Sequence, residues 1–125
     1  MKKKILIVED EHTLSDVLFD KFTKENFEVL VARDGQEGLN LALLSHPDCI
    51  LLDIVMPIMD GVSMLRELRK DSWGQKAKVF MLTNLSSIEH EKDTFAQGAT
   101  EYLIKTDWKL EDVVKKVKET TGESL

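Results

Sequence analysis

Residues 49–61 read CILLDIVMPIMDG, and the rest of the chain organises around this stretch. It opens with an apolar run, Cys49-Ile50-Leu51-Leu52, too short for a helix core and suited to a buried strand. The run stops at a carboxylate, Asp53. Met56-Pro57 follows, where proline lacks an N–H donor and biases the preceding residue away from helix. Asp60-Gly61 reads as a turn pair, because Asp bonds its own backbone and Gly tolerates positive φ. An acid therefore stands where a buried strand emerges, above a loop stiffened by Pro57 and turned by Gly61. Taken alone, such an acid is a cap or a solvated charge. Its meaning depends on what other segments deliver to the same place.

Working outward, the chain alternates two kinds of segment. Residues 4–8 (KILIV) are a short apolar run ending in Glu9-Asp10-Glu11. Over 12–26, Leu14, Val17, Leu18 and Phe22 recur at spacings of three and four, which predicts an amphipathic helix. Residues 27–32 (FEVLVA) form a second strand. Asp34 with Glu37 makes a capping box for the next helix, whose inner face is Leu39, Ala42 and Leu43, with Pro47 beyond its end. The third strand covers 48–52. Val62, Leu65 and Leu68 mark a third helix that runs out near Asp71, before Trp73-Gly74. Residues 77–82 (AKVFML) are a fourth strand. Ser86 and Glu89 suggest a second capping box, with a helix from about Ser87 to Gly98 and Phe95 in the core. Residues 100–104 (TEYLI) are a fifth strand, followed by Lys105. Asp107 caps the last helix, with the stripe Leu110, Val113, Val114 and Val117.

Five β-α units with short connections predict an α/β fold: a doubly wound (βα)5 sandwich around a parallel sheet, with right-handed crossovers. For five strands the common flavodoxin-like order is 2-1-3-4-5, which places ligands beyond the carboxyl ends of strands 1 and 3.

The totals bound the function. At 125 residues the chain is expected to be a single domain over 1–125, with 42% apolar and 32% charged residues. Its net charge of −6 makes direct nucleic-acid binding a poor expectation, since phosphate neutralisation needs a basic surface. The Lys2-Lys3-Lys4 run is too short to alter that. One cysteine, Cys49, allows no internal disulfide and suits a reducing cytoplasm. No apolar run reaches the length of a signal-peptide core or a membrane span.

At the strand ends, strand 1 delivers Glu9 and Asp10, strand 3 Asp53, strand 4 Thr83 and strand 5 Lys105. Two like charges about 4 Å apart repel by roughly 4 kcal/mol at an effective dielectric near 20. One lysine does not offset three acids; a divalent cation does. Hard oxygen ligands without a His or Cys pair favour Mg²⁺, which keeps waters and recruits phosphate oxygens. A lysine, a hydroxyl and an aspartate beside such an ion suit phosphoryl transfer to the aspartate.

The pieces ILIVEDE (5–11), LLDIVMPIMDG (51–61), MLT (81–83) and EYLIK (101–105), in this order and spacing, resemble a response-regulator receiver domain, the phosphoacceptor module of two-component signalling. The resemblance runs from Ile5 to about Glu119 and implies roles residue by residue. Asp53 is the expected phosphoacceptor, attacking a phosphohistidine of a sensor histidine kinase or histidine phosphotransfer protein. Glu9, Asp10, Asp53 and the Val55 backbone carbonyl are the expected Mg²⁺ ligands. Lys105 pairs with the phosphoryl oxygens. Thr83 bonds them in the active state, and Tyr102 is the aromatic that turns inward as the threonine moves. The fourth helix, fifth strand and fifth helix then form the output face, where a phosphorylation-dependent homodimer is a further expectation. The chain is expected to promote its own phosphorylation and slow self-dephosphorylation without independent turnover.

Two positions depart from the family pattern. Asn84 follows the threonine, where the family usually has a smaller residue. Thr106 follows the lysine, where the family usually has proline, and a trans Lys105–Thr106 bond is expected because a non-proline cis bond costs about 2.5–4 kcal/mol. Val55 and Leu85 stand two residues past Asp53 and Thr83. In the family these positions influence the water that hydrolyses the acyl-phosphate; neither side chain here can orient one, so the resemblance implies slow self-dephosphorylation. Two other readings stand beside this one. They are a phosphate-independent interaction module and a small Mg²⁺-dependent phosphohydrolase, though the latter usually carries a second acid where Val55 stands. His12, His46 and His90 read as surface residues, Trp73 as a cover on the core edge, and Trp108 as either core or partner surface.

Overall fold

β3 (Cys49–Leu52) is buried at every residue because it lies in the middle of the sheet, between β1 (Lys4–Val8) and β4 (Val79–Thr83). β2 (Glu28–Ala32) and β5 (Glu101–Ile104) form the edges, giving the parallel order β2-β1-β3-β4-β5. The computed structural model describes residues 2–85 and 87–122. Five helices cover the sheet: α1 (His12–Lys24), α2 (Gly35–Ser45), α3 (Gly61–Arg69), α4 (Ile88–Ala96) and α5 (Leu110–Thr121). A single 3-10 turn, Gly74–Lys76, leads into β4.

Strand alternation sends successive side chains to two separate core layers. Leu6, Val8, Ile50, Leu52, Val79 and Met81 pack with Ala42 of α2 and Met64, Leu65 and Leu68 of α3. Ile5, Ile7, Cys49, Leu51, Phe80 and Leu82 pack with Leu18 and Phe22 of α1 and Val113, Val114 and Val117 of α5. With helices on both faces, the central strands have no polar side, which is why they read as continuous apolar runs. Register aligns Val8 with both Ala32 and Leu52, so β1 and β3 end side by side. The switch point therefore falls between Glu9-Asp10 and Asp53.

Several helix details differ from the sequence expectation. The inner face of α2 is Gly38, Leu39 and Ala42, while Leu43 is exposed. Gly38 is the reason: a Cβ there would come within 2.8 Å of the Val8 side chain, so its absence sets how closely the helix approaches β1. Val17 of α1 and Phe95 of α4 are also exposed, the latter at 45%. Asp34 does cap α2, accepting from Glu37 N, but the Glu37 carboxylate reaches back to Arg33 N rather than to the cap residue. Asp107 does not cap α5. Lys109 holds that position without a side-chain bond, because Asp107 N closes a turn onto Ile104 O first. The Ser86–Glu89 box lies outside the described residues; Ser87 caps α4, its hydroxyl accepting from His90 N.

Asp60-Gly61 is not a free turn. Asp60 caps α3, accepting from Ser63 N at 2.8 Å, and Gly61 is the first helical residue. Gly61 is needed for space: a Cβ there would lie 2.1 Å from the Asp53 carbonyl oxygen. The described residues contain no cis peptide bond, so Lys105–Thr106 is trans.

Candidate functional site

β1 ends by handing its last amide contacts to both neighbours: Glu9 N donates to Ala32 O at 3.0 Å, and Asp53 N donates to Val8 O at 3.1 Å. These bonds fix the strand ends and aim Glu9, Asp10 and Asp53 into one crevice. One carboxylate oxygen from each lies within 4.8 Å of the others. Glu9 and Asp53 are buried, and Asp10 is exposed at the mouth.

Lys105 reaches in from the end of β5. Its ammonium donates to Glu9 Oε1 at 2.7 Å and to Asp53 Oδ2 at 3.0 Å, tying together residues from opposite ends of the chain. The remaining oxygens of these acids take backbone donors, Glu11 N for Glu9 and Ile54 N for Asp53. Burial pushes the Glu9 carboxyl above its usual range. The Lys105 hydrogen bond and the Glu11 amide work against that rise, while the nearby Asp53 charge adds to it. Burial lowers the affinity of Lys105 for its proton, but its bonds to Glu9 and Asp53 outweigh this and raise it, so it stays an ammonium.

Three carboxylates against one ammonium leave the crevice negative. The donor set is oxygen only, with Asp10 exposed beside the buried Glu9 and Asp53. This fits Mg²⁺, which accepts carboxylates and completes its shell with water.

Thr83 ends β4, fully buried, and its carbonyl accepts from Lys105 N at 2.8 Å. Its hydroxyl accepts from Leu85 N at 3.3 Å. Tyr102 is half-buried on β5, and its hydroxyl donates to Leu85 O at 2.8 Å. Burial raises the Tyr102 phenol, helped by the charges of Glu91 and Asp53. Thr83 and Tyr102 therefore meet at one residue, Leu85, rather than at the acids.

Val55 is 61% exposed and lines a cavity of about 370 Å³ with Met56, Arg66, Leu85, His90 and Asp93, between the β3–α3 loop and α4. The two apolar positions singled out beside Asp53 and Thr83 thus share one cavity, which adjoins the carboxylates without containing them. His12 is exposed at the start of α1. His46 stacks on Trp73 with ring centroids 4.3 Å apart, at the other end of the sheet. His90 is half-buried, and its Nδ1 has no partner among the described residues. Trp108 packs on the α1–α5 core layer and takes Lys116 over its ring at 5.1 Å.

What sequence reading missed is the set of close approaches. Gly35 opens α2 where a Cβ would collide with Met59 O at 2.0 Å, so α2 abuts the loop that follows Asp53. The only sequence signal was the pair of glycines in an otherwise helical pattern, at 35 and 38.

The response regulator receiver domain family model matches residues 5–118. The chain is 36% identical over 104 residues to "Probable transcriptional regulator ycf27" of Cyanophora paradoxa, covering 83% of this chain and 42% of that protein. It therefore spans less than half the length of the curated relatives it matches. A CheY-like receiver domain protein from Methanospirillum hungatei superposes with a TM-score of 0.90 at 30% identity, covering 98% of this chain and 95% of that one. The CheX-CheY-BeF3-Mg complex of Borrelia burgdorferi matches with a TM-score of 0.85 at 28% identity, covering 94% of this chain and 87% of that one. Strand order, acidic crevice and family match agree: the chain belongs to the response regulator receiver domain family of two-component signalling.

Proposed function

We propose that Asp53 accepts a phosphoryl group from a phosphohistidine of a sensor histidine kinase or phosphotransfer protein, and that the resulting dianion switches the α4–β5–α5 face. The observation that carries this is the bridge from Lys105 Nζ to Glu9 and Asp53 beside a third carboxylate, Asp10. Glu9, Asp10, Asp53 and the Val55 carbonyl would hold Mg²⁺. When bound, that ion would offset the charge of the carboxylates and of the incoming phosphoryl oxygens. Asp53 Oδ1 stays fixed by Ile54 N, which orients the carboxylate. Lys105 would leave its present carboxylate partners to pair with phosphoryl oxygens.

The Thr83 hydroxyl would turn from Leu85 N to the phosphoryl group, freeing Leu85 and with it the Tyr102 hydroxyl. That sequence of exchanged partners would carry the signal toward α4. Typical couplings of about 1–3 kcal/mol fall short of the ~5.5 kcal/mol needed to move a 1:99 equilibrium to 99:1. A partner or a homodimer on the α4–β5–α5 face would supply the rest. Val55 and Leu85 are both apolar and line one cavity, which supports slow self-dephosphorylation. The module would act as one receiver domain over 1–125, in the cytoplasm, without turnover of its own. Among the described residues no helix is long and apolar enough to cross a membrane.

The test is incubation with Mg²⁺ and acetyl phosphate, read by intact mass. Wild type is expected to gain one phosphoryl group and Asp53→Asn none. No gain on wild type would sink the reading and favour a phosphate-independent interaction module.

A further inference from the structure

The cavity between α3, α4 and the loop after β3 holds about 370 Å³, a size that suits a small molecule. Glu9, Asp10 and Asp53 do not line it, so no step of phosphoryl transfer occupies it. Part of its wall is apolar. Ile54 and Val62 belong to the core layer under α2 and α3, and Leu85 packs on that layer. The polar part is a cation and an anion side by side: Arg66 of α3 donates to Asp93 Oδ2 of α4 at 2.6 Å. That bond uses one of five guanidinium donors and one of two carboxylate oxygens. Among the described residues the other donors and Asp93 Oδ1 have no hydrogen-bond partner, and both side chains are partly open to solvent. Asp60 and Ser63 also line the cavity but are already bonded to each other in the α3 cap. His90 adds an imidazole whose Nδ1 is buried and unpartnered.

A matching ligand carries both charges close together on an apolar body. A carboxylate fits the free guanidinium donors, an ammonium fits Asp93, and an aliphatic chain fits the apolar wall. A lone anion would meet Asp93 and Asp60 as well as Arg66, and a lone cation would meet Arg66 as well as Asp93. An α-amino acid, whose two charges flank one carbon, meets each partner with the opposite sign.

The cavity also touches the switch. Leu85 has its amide held by the Thr83 hydroxyl and its carbonyl by the Tyr102 hydroxyl. A molecule packed between Leu85, Arg66 and Asp93 braces α3, α4 and these two bonds in the unphosphorylated arrangement. We propose that this cavity is an effector site for an aliphatic α-amino acid, which binds the unphosphorylated chain and opposes the change that phosphorylation brings. The opposition rests on the reading of Asp53 as phosphoacceptor; the binding does not.

The experiment titrates the isotope-labelled chain with L-leucine and follows backbone amide shifts by NMR. Saturable shifts in α3, α4 and Leu85 are expected. Isocaproate and isoamylamine, which are leucine without its ammonium and without its carboxylate, should bind about tenfold more weakly. Leucine should lose a similar factor on Arg66→Gln and on Asp93→Asn. No saturable shift up to about 10 mM, beyond the ~1 mM end of ordinary small-substrate affinities, would overturn the proposal. So would equal binding of the two analogues, or full affinity in both variants. The chain phosphorylated with acetyl phosphate and Mg²⁺ should bind leucine at least about fivefold more weakly, the low end of ordinary coupling. Equal affinity for the two forms would overturn the effector role. Failure of acetyl phosphate to modify wild type would instead bring down the phosphoacceptor reading and the effector role with it, while leucine binding would stand.

Discussion

α3 and α4 have the same length, nine residues each, and both follow a strand that delivers a site residue. They are held in opposite ways. α3 buries Gly61, Val62, Met64, Leu65 and Leu68. α4 buries only Thr94, and its two largest apolar side chains, Ile88 and Phe95, face solvent at 73% and 45%. The ties of α4 to its neighbour are polar. Arg66 pairs with Asp93 at 2.6 Å, and the Arg69 guanidinium donates to the carbonyls of Gln97 and Gly98 beyond its end. The difference teaches which helix the core holds and which one rests on polar ties alone. The helix that follows the strand of Asp53 is packed into the core. The helix after Thr83 rests on contacts that can be exchanged at small cost, as befits an element drawn from the low-stability end of a fold.

The comparison breaks first at Leu65. Leu65→Ala in α3 is expected to cost about 2–5 kcal/mol in urea unfolding, whereas Phe95→Ala in α4 should stay within about 0.5 kcal/mol. Similar losses for the two would mean that α4 is as deeply anchored as α3. Next is Gly61→Ala. The added Cβ would meet the Asp53 carbonyl at 2.1 Å, and such overpacking costs about 1–3 kcal/mol. Because the strain falls on Asp53, phosphorylation by acetyl phosphate should slow more than stability suggests, and an unaltered rate would show that the loop yields elsewhere.

The caps give a smaller contrast. Asp60→Ala and Ser87→Ala each remove an N-cap, worth about 1 kcal/mol in a helix that is packed. The loss should be seen globally for Asp60. For Ser87 it should appear as faster amide hydrogen exchange confined to α4. Smallest is Asp93→Ala. Its ion pair with Arg66 is half exposed, so about 0.2–1 kcal/mol is expected, falling with added salt. A larger, salt-independent loss would make that pair a structural bolt rather than a light tie.

These contrasts also mark how far the sequence could be read. The five strands were legible because apolar runs of three or four residues ending at Glu9, Arg33, Asp53, Thr83 and Lys105 leave few alternatives. Asp34 could be assigned as a cap for the same local reason. α4 was the least legible helix. IEHEKDTFA holds two isolated apolar side chains, and nothing local says that Phe95 points outward. Asp107 misled because a capping residue type does not reveal that the chain makes one more turn before Lys109. Leu43 misled because Gly38, lacking a side chain, leaves no mark in an apolar pattern although it sets the helix against β1.

Period and polarity are properties of neighbouring residues, so the sequence by itself determined the (βα)5 alternation, the strand order through the connection rules, and the acids gathered at the switch point. Other features depend on distances between residues remote in the chain. Lys105 reaches both Glu9 and Asp53, across 96 and 52 positions. Gly35 and Gly61 are required by the carbonyls of Met59 and Asp53 rather than by their own φ. Ile58 holds the left-handed conformation that the sequence pointed to at Gly61. Only the tertiary structure decided these, because close approach and strain arise where separate segments meet.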